Sequence, residues 1–174
     1  MGMRVRRGGL VANDRSVELN VIGNNEKRLN GLEQLRKLMA DGTRPPMGTT
    51  LGFTLVEIED GLAVFEGDPD RSVYNPIGSV HGGYAATLLD SACGCAVHSR
   101  LTADQGYTTL ELKVAYHRPL RDSSGPVRAE GRILSIGRRA AFAEATLKDA
   151  DGRLCASATS TLLVFDLPAK PARS

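Results

Sequence analysis

The sequence predicts an α+β fold in which one long helix lies against a mostly antiparallel sheet. The first observation behind this prediction is a single long apolar run at helical spacing, over residues 82–100. The second is a set of six segments with period-two alternation, the last four of which follow one another without a further helix. Strands joined by short turns pair in antiparallel fashion, and one helix can cover one face of such a sheet. The 174 residues, of which 41% are hydrophobic and 24% charged, suffice for one domain with a buried core.

The N-terminal part of the chain predicts an arm followed by a helix. Residues 1–25 show no sustained period, and we expect them to form a flexible arm. Leucines then recur at helical spacing from Leu29 to Leu38, which predicts an additional N-terminal helix over residues 26–40. The dipeptide Asp41-Gly42 is typical of the end of such a helix.

The remaining segments define the sheet and the main helix. Alternating apolar residues predict strands over residues 51–55, 62–65, 108–117, 126–136, 140–148 and 153–165. A loop over residues 68–80 leads into the main helix and is long enough to suggest a function. The domain is therefore expected to span residues 26–167, with a disordered tail over residues 168–174.

Composition and charge exclude several classes of protein. No apolar run approaches the roughly 18 residues of a transmembrane helix, and no export signal is recognised, so we expect a cytoplasmic protein that binds no membrane. The net charge of +2 is uneven, since residues 1–46 carry nine basic against five acidic residues. With no Trp and four each of Phe and Tyr, nucleic-acid binding is disfavoured.

Metal and nucleotide chemistry also lack support in the sequence. Cys93 and Cys95 lie about 200° apart around a helix, and no histidine stands at metal-pair spacing to another. The odd number of three cysteines favours reduced thiols over disulfides. No phosphate-binding or dinucleotide-binding loop is present, so neither a metal nor a cofactor is expected.

Two features of the main helix could carry chemistry. The first N–H groups of a helix lack intrahelical partners, so those of Gly82 and Gly83 could polarise a substrate oxygen. Alternatively, the two glycines could only allow a tight junction between the loop and the helix. Asp90 is the only Asp, Glu, Lys or Arg between His81 and His98. A carboxylate on this mostly apolar helix needs water, a partner or a substrate, which leaves a solvated aspartate and a catalytic one as alternatives.

The spacing of these two features predicts a site shared between subunits. Gly83 and Asp90 are seven residues apart, which is about 10 Å along a helix axis. A hydrogen-bond donor and a base that both contact one carbonyl group are separated by only about 7 Å. One chain therefore satisfies both contacts poorly, and we expect the helix start of one subunit to face Asp90 of another.

Several separated motifs occur in order along the chain: Asn75-Pro76, Gly78, His81-Gly82-Gly83, Asp90, Thr109 to Val114, Tyr116, Arg118-Pro119, Gly137-Arg138-Arg139 and Asp151-Gly152-Arg153. Together they resemble the PaaI-type branch of the hotdog-fold acyl-CoA thioesterases, over about residues 46–165. The resemblance implies a long helix wrapped by a curved antiparallel sheet. It also implies a homodimer with one continuous sheet, often assembled further into a tetramer.

The resemblance assigns roles to individual residues. It implies hydrolysis of acyl-CoA by water to a carboxylic acid and CoA, with Asp90 as nucleophile or general base and the backbone N–H of Gly82, beside Gly83, polarising the carbonyl. Asn75 and His81 match positions that line the thioester, and Thr109 matches a position that helps to hold the attacking water.

Some roles stay open at the level of sequence. His81 could act as a base, but its place at a helix start favours a positioning role. Arg118, Arg138 and Arg139 are candidates for the CoA phosphates or belong to a solvated strand edge. The acyl group could be aromatic or of medium chain length. The alternative function is a non-catalytic acyl-CoA sensor or scaffold on the same fold, whereas a hydratase would need a His–acid pair that is not found.

Overall fold

The structure is a computed structural model that describes residues 28–168. The predicted arm over residues 1–25 lies outside the described residues, as does the predicted tail after its first residue. The described elements are, in chain order, α1 (Gly31–Ala40), α2 (Pro46–Leu51), β1 (Phe53–Glu59), β2 (Leu62–Gly67), α3 (Gly82–His98), β3 (Gln105–Tyr116), β4 (Val127–Ile136), β5 (Ala140–Lys148) and β6 (Leu154–Asp166).

The N-terminal helix begins later than the predicted residue 26 because of a capping interaction. The Asn30 side chain accepts a hydrogen bond from the Glu33 N–H (2.9 Å), and the Glu33 carboxylate accepts one from the Asn30 N–H (2.8 Å). This reciprocal pair satisfies two backbone donors that helix formation would otherwise leave unpaired, so α1 starts at Gly31. The Gly31 N–H then donates to the Leu101 carbonyl (2.9 Å), which holds α1 beside the end of α3.

A short helix, α2, was not predicted. Leu51 was predicted to begin a strand, but it is the last residue of α2, and β1 begins at Phe53. Pro46 is the first residue of α2, a position where proline's missing N–H costs nothing. Gly52 ends the helix with φ = 70°, a conformation that favours glycine.

The six strands form one sheet in the order β1-β2-β4-β5-β6-β3, and every neighbouring pair is antiparallel. The predicted α+β class, with a curved antiparallel sheet around a long helix, is confirmed. β3 is an edge strand, since within residues 28–168 it pairs only with β6. The twelve residues of β3 therefore keep one row of backbone N–H and C=O groups without a strand partner.

The main helix α3 packs on the sheet with almost no space between the two backbones. A methyl group placed on Gly131 of β4 would collide with the Ala92 carbonyl and stand 2.8 Å from the Cys93 backbone nitrogen. Small buried side chains continue this contact on the sheet: Ala129, Ala141, Ala143 and Ala145. The helix axis is thus fixed at short distance over the centre of the sheet, because no larger residue separates them.

Strand β3 runs beside α3 in the opposite direction and contacts it at three places. The Tyr116 hydroxyl donates to the Gly82 carbonyl (2.9 Å), and the Thr109 hydroxyl donates to Asp90 (3.1 Å). The third contact lies at Gly94, where an added methyl group would stand 2.7 Å from the Tyr107 hydroxyl. These contacts give the strand and the helix one fixed register.

The packing of α3 on β4 generates a first prediction. We expect Gly131→Ala to destabilise the protein by about 1–3 kcal/mol, because the added methyl group forces the α3 backbone away from the sheet. Urea denaturation measures the change. Gly137→Ala is the matched control, since a methyl group there meets its nearest neighbour at 3.5 Å, an ordinary contact distance. Equal stability of the two variants would contradict the proposed close contact.

Candidate active site

The loop before α3 is shaped by the side chain of Asn75. Its amide oxygen accepts hydrogen bonds from the N–H groups of Ile77 (3.1 Å) and Ser79 (3.2 Å), and its amide nitrogen donates to the Ser79 hydroxyl (3.1 Å). Gly78, with φ = 84°, completes the turn. Asn75 thus sets the path by which the chain enters α3, and its side-chain groups are engaged within the loop.

His81 caps the N-terminus of α3. Its backbone N–H donates to the Val73 carbonyl (2.8 Å), and its Nδ1 accepts a hydrogen bond from the Gly83 N–H (2.9 Å). The lone pair of Nδ1 is therefore used to hold the helix start. A ring nitrogen that accepts this bond cannot simultaneously accept a proton from water, which favours a positioning role over that of a base.

The two glycines of the helix start differ in what their N–H groups contact. The Gly83 N–H is occupied by His81, whereas the Gly82 N–H meets no acceptor within residues 28–168. Gly82 is also the first residue of α3, where the helix dipole is most positive. Of the two predicted donors, Gly82 thus has the free N–H group that could polarise a substrate oxygen.

A cavity of about 290 Å³ opens at the start of α3, and Gly82 forms part of its wall. Its walls come from the start of α3, from the end of β3 with the residues that follow, and from the start of β6: Ser79, Val80, His81, Gly82, Ala85, Tyr116, His117, Arg118, Pro119, Leu120, Cys155 and Ala156. Arg118, one of the predicted phosphate contacts, is among them. Most of these walls are apolar, so the cavity suits a substrate with an uncharged portion next to a polarised carbonyl.

Asp90 and Thr109 form a second group, which is not part of this cavity. Thr109 precedes a bulge in β3, where the register with β6 shifts between Thr109 and Glu111. A bulge re-aims the neighbouring side chain, and here the Thr109 hydroxyl meets the half-buried carboxylate of Asp90 at 3.1 Å. The structure therefore brings these two predicted residues together.

The cysteines near Asp90 are poor nucleophiles. Burial, followed by the negative charge of Asp90, raises the pKa of both Cys93 and Cys95 to about 12. The pKa of Cys155 is also raised, chiefly by burial. Since the thiolate is the reactive form, all three thiols are protonated near neutral pH, and Asp90 is the stronger candidate for nucleophile or base.

Arg138 and Arg139 lie at the other end of the sheet from the cavity. The Arg139 carbonyl accepts a hydrogen bond from the Val164 N–H (3.1 Å), and Val164 pairs with Tyr107 at the start of β3. Arg118 instead follows the end of β3. The three predicted arginines therefore do not meet within one protomer.

Gly82 and Asp90 lie on one helix and are eight positions apart, which is about 12 Å along its axis. One chain thus holds two incomplete groups, one with the free N–H and the cavity and one with the carboxylate and Thr109.

One residue of the site was not predicted to have a role there. Tyr116 lines the cavity, and its hydroxyl donates to the Gly82 carbonyl. In the sequence, Tyr116 was noticed only as a member of a motif, because a contact between residues 34 positions apart leaves no local pattern.

Within residues 28–168, no three His, Cys, Asp or Glu side chains cluster as metal ligands, and no helix is long and apolar enough to span a membrane.

Comparison with known proteins gives consistent matches. Residues 77–156 match the family described as the thioesterase superfamily. The chain is 34% identical over 105 residues to the proofreading thioesterase EntH of Klebsiella pneumoniae, a match that covers 60% of this chain and 75% of that protein. Among solved structures, a thioesterase family protein from Silicibacter pomeroyi superposes with a TM-score of 0.67 at 28% identity, covering 76% of this chain and 96% of the other. A mutant of the phenylacetic acid degradation protein PaaI from Thermus thermophilus gives a TM-score of 0.62 at 28% identity, covering 68% and 98%.

The cap at the helix start generates a second prediction. We expect His81→Ala to lower the free energy of unfolding by about 1 kcal/mol, the usual cost of a lost N-cap, and to speed hydrogen exchange at the Gly83 amide. Urea denaturation and amide exchange measured by NMR test the two effects. His117→Ala serves as control, because within residues 28–168 the exposed His117 ring forms a single hydrogen bond, with the Ser157 hydroxyl, and caps no helix. Unchanged exchange at Gly83 in the His81 variant would rule out the cap.

Proposed function

The chain belongs to the thioesterase superfamily and is a thioester hydrolase with the hotdog fold, and from this premise we propose that it hydrolyses acyl-CoA to a carboxylic acid and CoA. The observation that carries the proposal is the free Gly82 N–H at the start of the same helix that presents Asp90 to Thr109. These are the donor and the carboxylate that thioester hydrolysis requires. A thioester lacks the resonance of an amide, so this pair suffices without a metal or a cofactor.

The reaction begins at the carbonyl group of the substrate. The Gly82 N–H donates to the carbonyl oxygen, and the positive end of the α3 dipole stabilises the negative charge that develops there. Asp90 either attacks the carbonyl carbon or takes a proton from the attacking water, which the Thr109 hydroxyl helps to hold. If Asp90 attacks, the C–S bond breaks to give CoA thiolate and an acyl–Asp90 anhydride, and water then cleaves this anhydride to the carboxylic acid and free Asp90. If Asp90 acts as base, the water oxygen bonds to the carbonyl carbon, the C–S bond breaks, and the proton taken up by Asp90 passes to the CoA thiolate.

The working site requires two copies of the chain. The unpaired edge of β3 is a natural pairing surface for the β3 of a second copy, since antiparallel pairing about a twofold axis satisfies both edges. If Tyr116 of one copy lies opposite Thr109 of the other, the extra residue of the bulge at Leu110 leaves Lys113 midway between them, so the axis passes beside Lys113. Because Tyr116 contacts Gly82 and Thr109 contacts Asp90, this register brings the Gly82 of one copy beside the Asp90 of the other.

The same pairing supports a role for the arginines. Arg118 lies at the cavity beside Gly82, and Arg138 and Arg139 lie toward the end of the sheet where β3 begins. Antiparallel pairing places the end of one β3 near the start of the other, so arginines of two copies approach the same site. One guanidinium group can donate two parallel hydrogen bonds to the oxygens of one phosphate, so these arginines are suited to bind the phosphates of CoA.

Replacing the carboxylate tests the chemical step. We expect Asp90→Asn to lower kcat by at least about a thousandfold, because the amide neither attacks the carbonyl nor accepts a proton from water. Thiol release from a panel of aromatic and medium-chain acyl-CoA substrates measures the rate. Glu59→Gln is the control, since Glu59 is exposed and its side chain forms no hydrogen bond or ion pair within residues 28–168. Near-normal turnover by the Asp90 variant would contradict the proposed mechanism. If the wild type hydrolyses none of the substrates, the non-catalytic acyl-CoA sensor or scaffold becomes the better explanation.

Mixing two inactive variants tests the shared site. Gly82→Pro removes the free N–H, and His81 already has an extended conformation (ψ = 135°) that a following proline accepts. After unfolding and refolding together, Gly82→Pro and Asp90→Asn chains should recover about a quarter of the wild-type activity, because half of the dimers are mixed and each carries one complete site.

The control for this experiment is Gly82→Ala mixed with Asp90→Asn. It adds a methyl group against the Tyr116 ring, as proline does, but keeps the N–H. The Gly82→Ala chain alone should therefore retain far more activity than Gly82→Pro alone. Absence of any recovery in the proline mixture, with mixed dimers demonstrated by mass spectrometry, would place both groups in one chain.

A further inference from the structure

We propose that Tyr116 is a positioning residue that restrains the carbonyl and the α-carbon of Gly82, and thereby the residue whose own N–H, in the preceding peptide, donates to the substrate. This inference rests on the proposed function and adds a residue to its site. It starts from the hydrogen bond that the Tyr116 hydroxyl donates to the Gly82 carbonyl (2.9 Å).

The Gly82–Gly83 peptide is held at both of its polar ends. Its carbonyl oxygen accepts from Tyr116, and its N–H donates to Nδ1 of His81 (2.9 Å). The donor, the Tyr116 hydroxyl, belongs to the edge strand β3, and the acceptor, Nδ1 of His81, belongs to the loop before α3. Rotation of this peptide unit would break both hydrogen bonds at once.

Such a restraint matters because two successive glycines have little preference of their own. Glycine occupies many more backbone conformations than other residues, and the start of a helix has no earlier turn to hold it. The Tyr116 ring also lies against Gly82, since a methyl group placed there would stand 3.1 Å from the ring. Tyr116 therefore restricts both the carbonyl and the α-carbon of Gly82, which lines the cavity and has the free N–H.

The position of Tyr116 couples this restraint to the assembly. Tyr116 is 56% exposed in the protomer and lies at the end of the unpaired edge strand. When a second β3 pairs along this edge, water loses access to the hydroxyl, and its hydrogen bond to Gly82 gains strength from the lower local dielectric. Formation of the dimer thereby fixes the donor as well as supplying the carboxylate.

The variant Tyr116→Phe tests the proposal, because it keeps the ring and removes only the hydrogen bond. We expect kcat for acyl-CoA hydrolysis to fall about tenfold, the scale of one neutral hydrogen bond, with KM within about twofold of the wild type. Hydrogen exchange at the Gly83 amide should become faster. A purely structural loss would instead lower the amount of folded dimer, which size-exclusion chromatography measures separately.

Tyr84→Phe is the matched control. It removes a hydroxyl from the first turns of the same helix, but this hydroxyl is buried and has no hydrogen-bond partner within the described part of the chain. Its kcat and its Gly83 exchange should equal those of the wild type. If Tyr116→Phe gives the same kcat as Tyr84→Phe on every substrate that the wild type hydrolyses, the positioning role is wrong.

The exchange measurement separates this proposal from the proposed function. If the wild type hydrolyses no acyl-CoA, the function fails, and the restraint is then judged on the amide alone. Faster exchange at Gly83 in Tyr116→Phe, with Tyr84→Phe unchanged, would still support the restraint. Exchange at the wild-type rate in both variants would overturn it.

Discussion

The near-contact of the α3 backbone with β4 at Gly131 is the constraint on which the rest of the structure depends. It fixes the distance between the helix and the sheet, because the contact is formed by glycine and alanine, and no larger side chain lies between the two backbones that could change its conformation. The N-terminus of α3 and the carboxylate of Asp90 belong to this one rigid element. Their positions relative to the sheet, and to the strand β3 that runs beside them, follow from the same packing.

Edge strand β3 links the packing to the chemistry. Its three inward contacts with Gly82, Asp90 and Gly94 use a tyrosine, a threonine and a tyrosine, each at a point where the helix offers a small residue or a polar group. The same strand keeps one edge of backbone groups unpaired. The strand that contacts both Gly82 and Asp90 is thus also the strand at whose free edge we propose that a second copy pairs.

The sequence predicted the class of fold and most elements, with errors where local signals compete. The period-two segments of β4, β5 and β6 were located to within one residue, because each has an inward face of small or apolar residues. The start of α1 was placed too early because the capping residue Asn30 interrupts a leucine pattern that continues on both sides of it. Helix α2 was missed because Pro45-Pro46 is typical both of a break and of a helix start.

Local sequence pattern was enough to predict which residues could carry chemistry. Asp90 is the only charged residue of an apolar helix, and the paired glycines mark the start of that helix, so both are visible in local pattern and spacing. Which of these groups are free to act depends on tertiary packing. Within residues 28–168, His81 accepts from the Gly83 N–H, the Gly82 N–H has no acceptor, and the Tyr116 hydroxyl reaches the Gly82 carbonyl across 34 residues. Hydrogen bonds between distant segments depend on how helix and sheet pack, and that packing has no local signature in the chain.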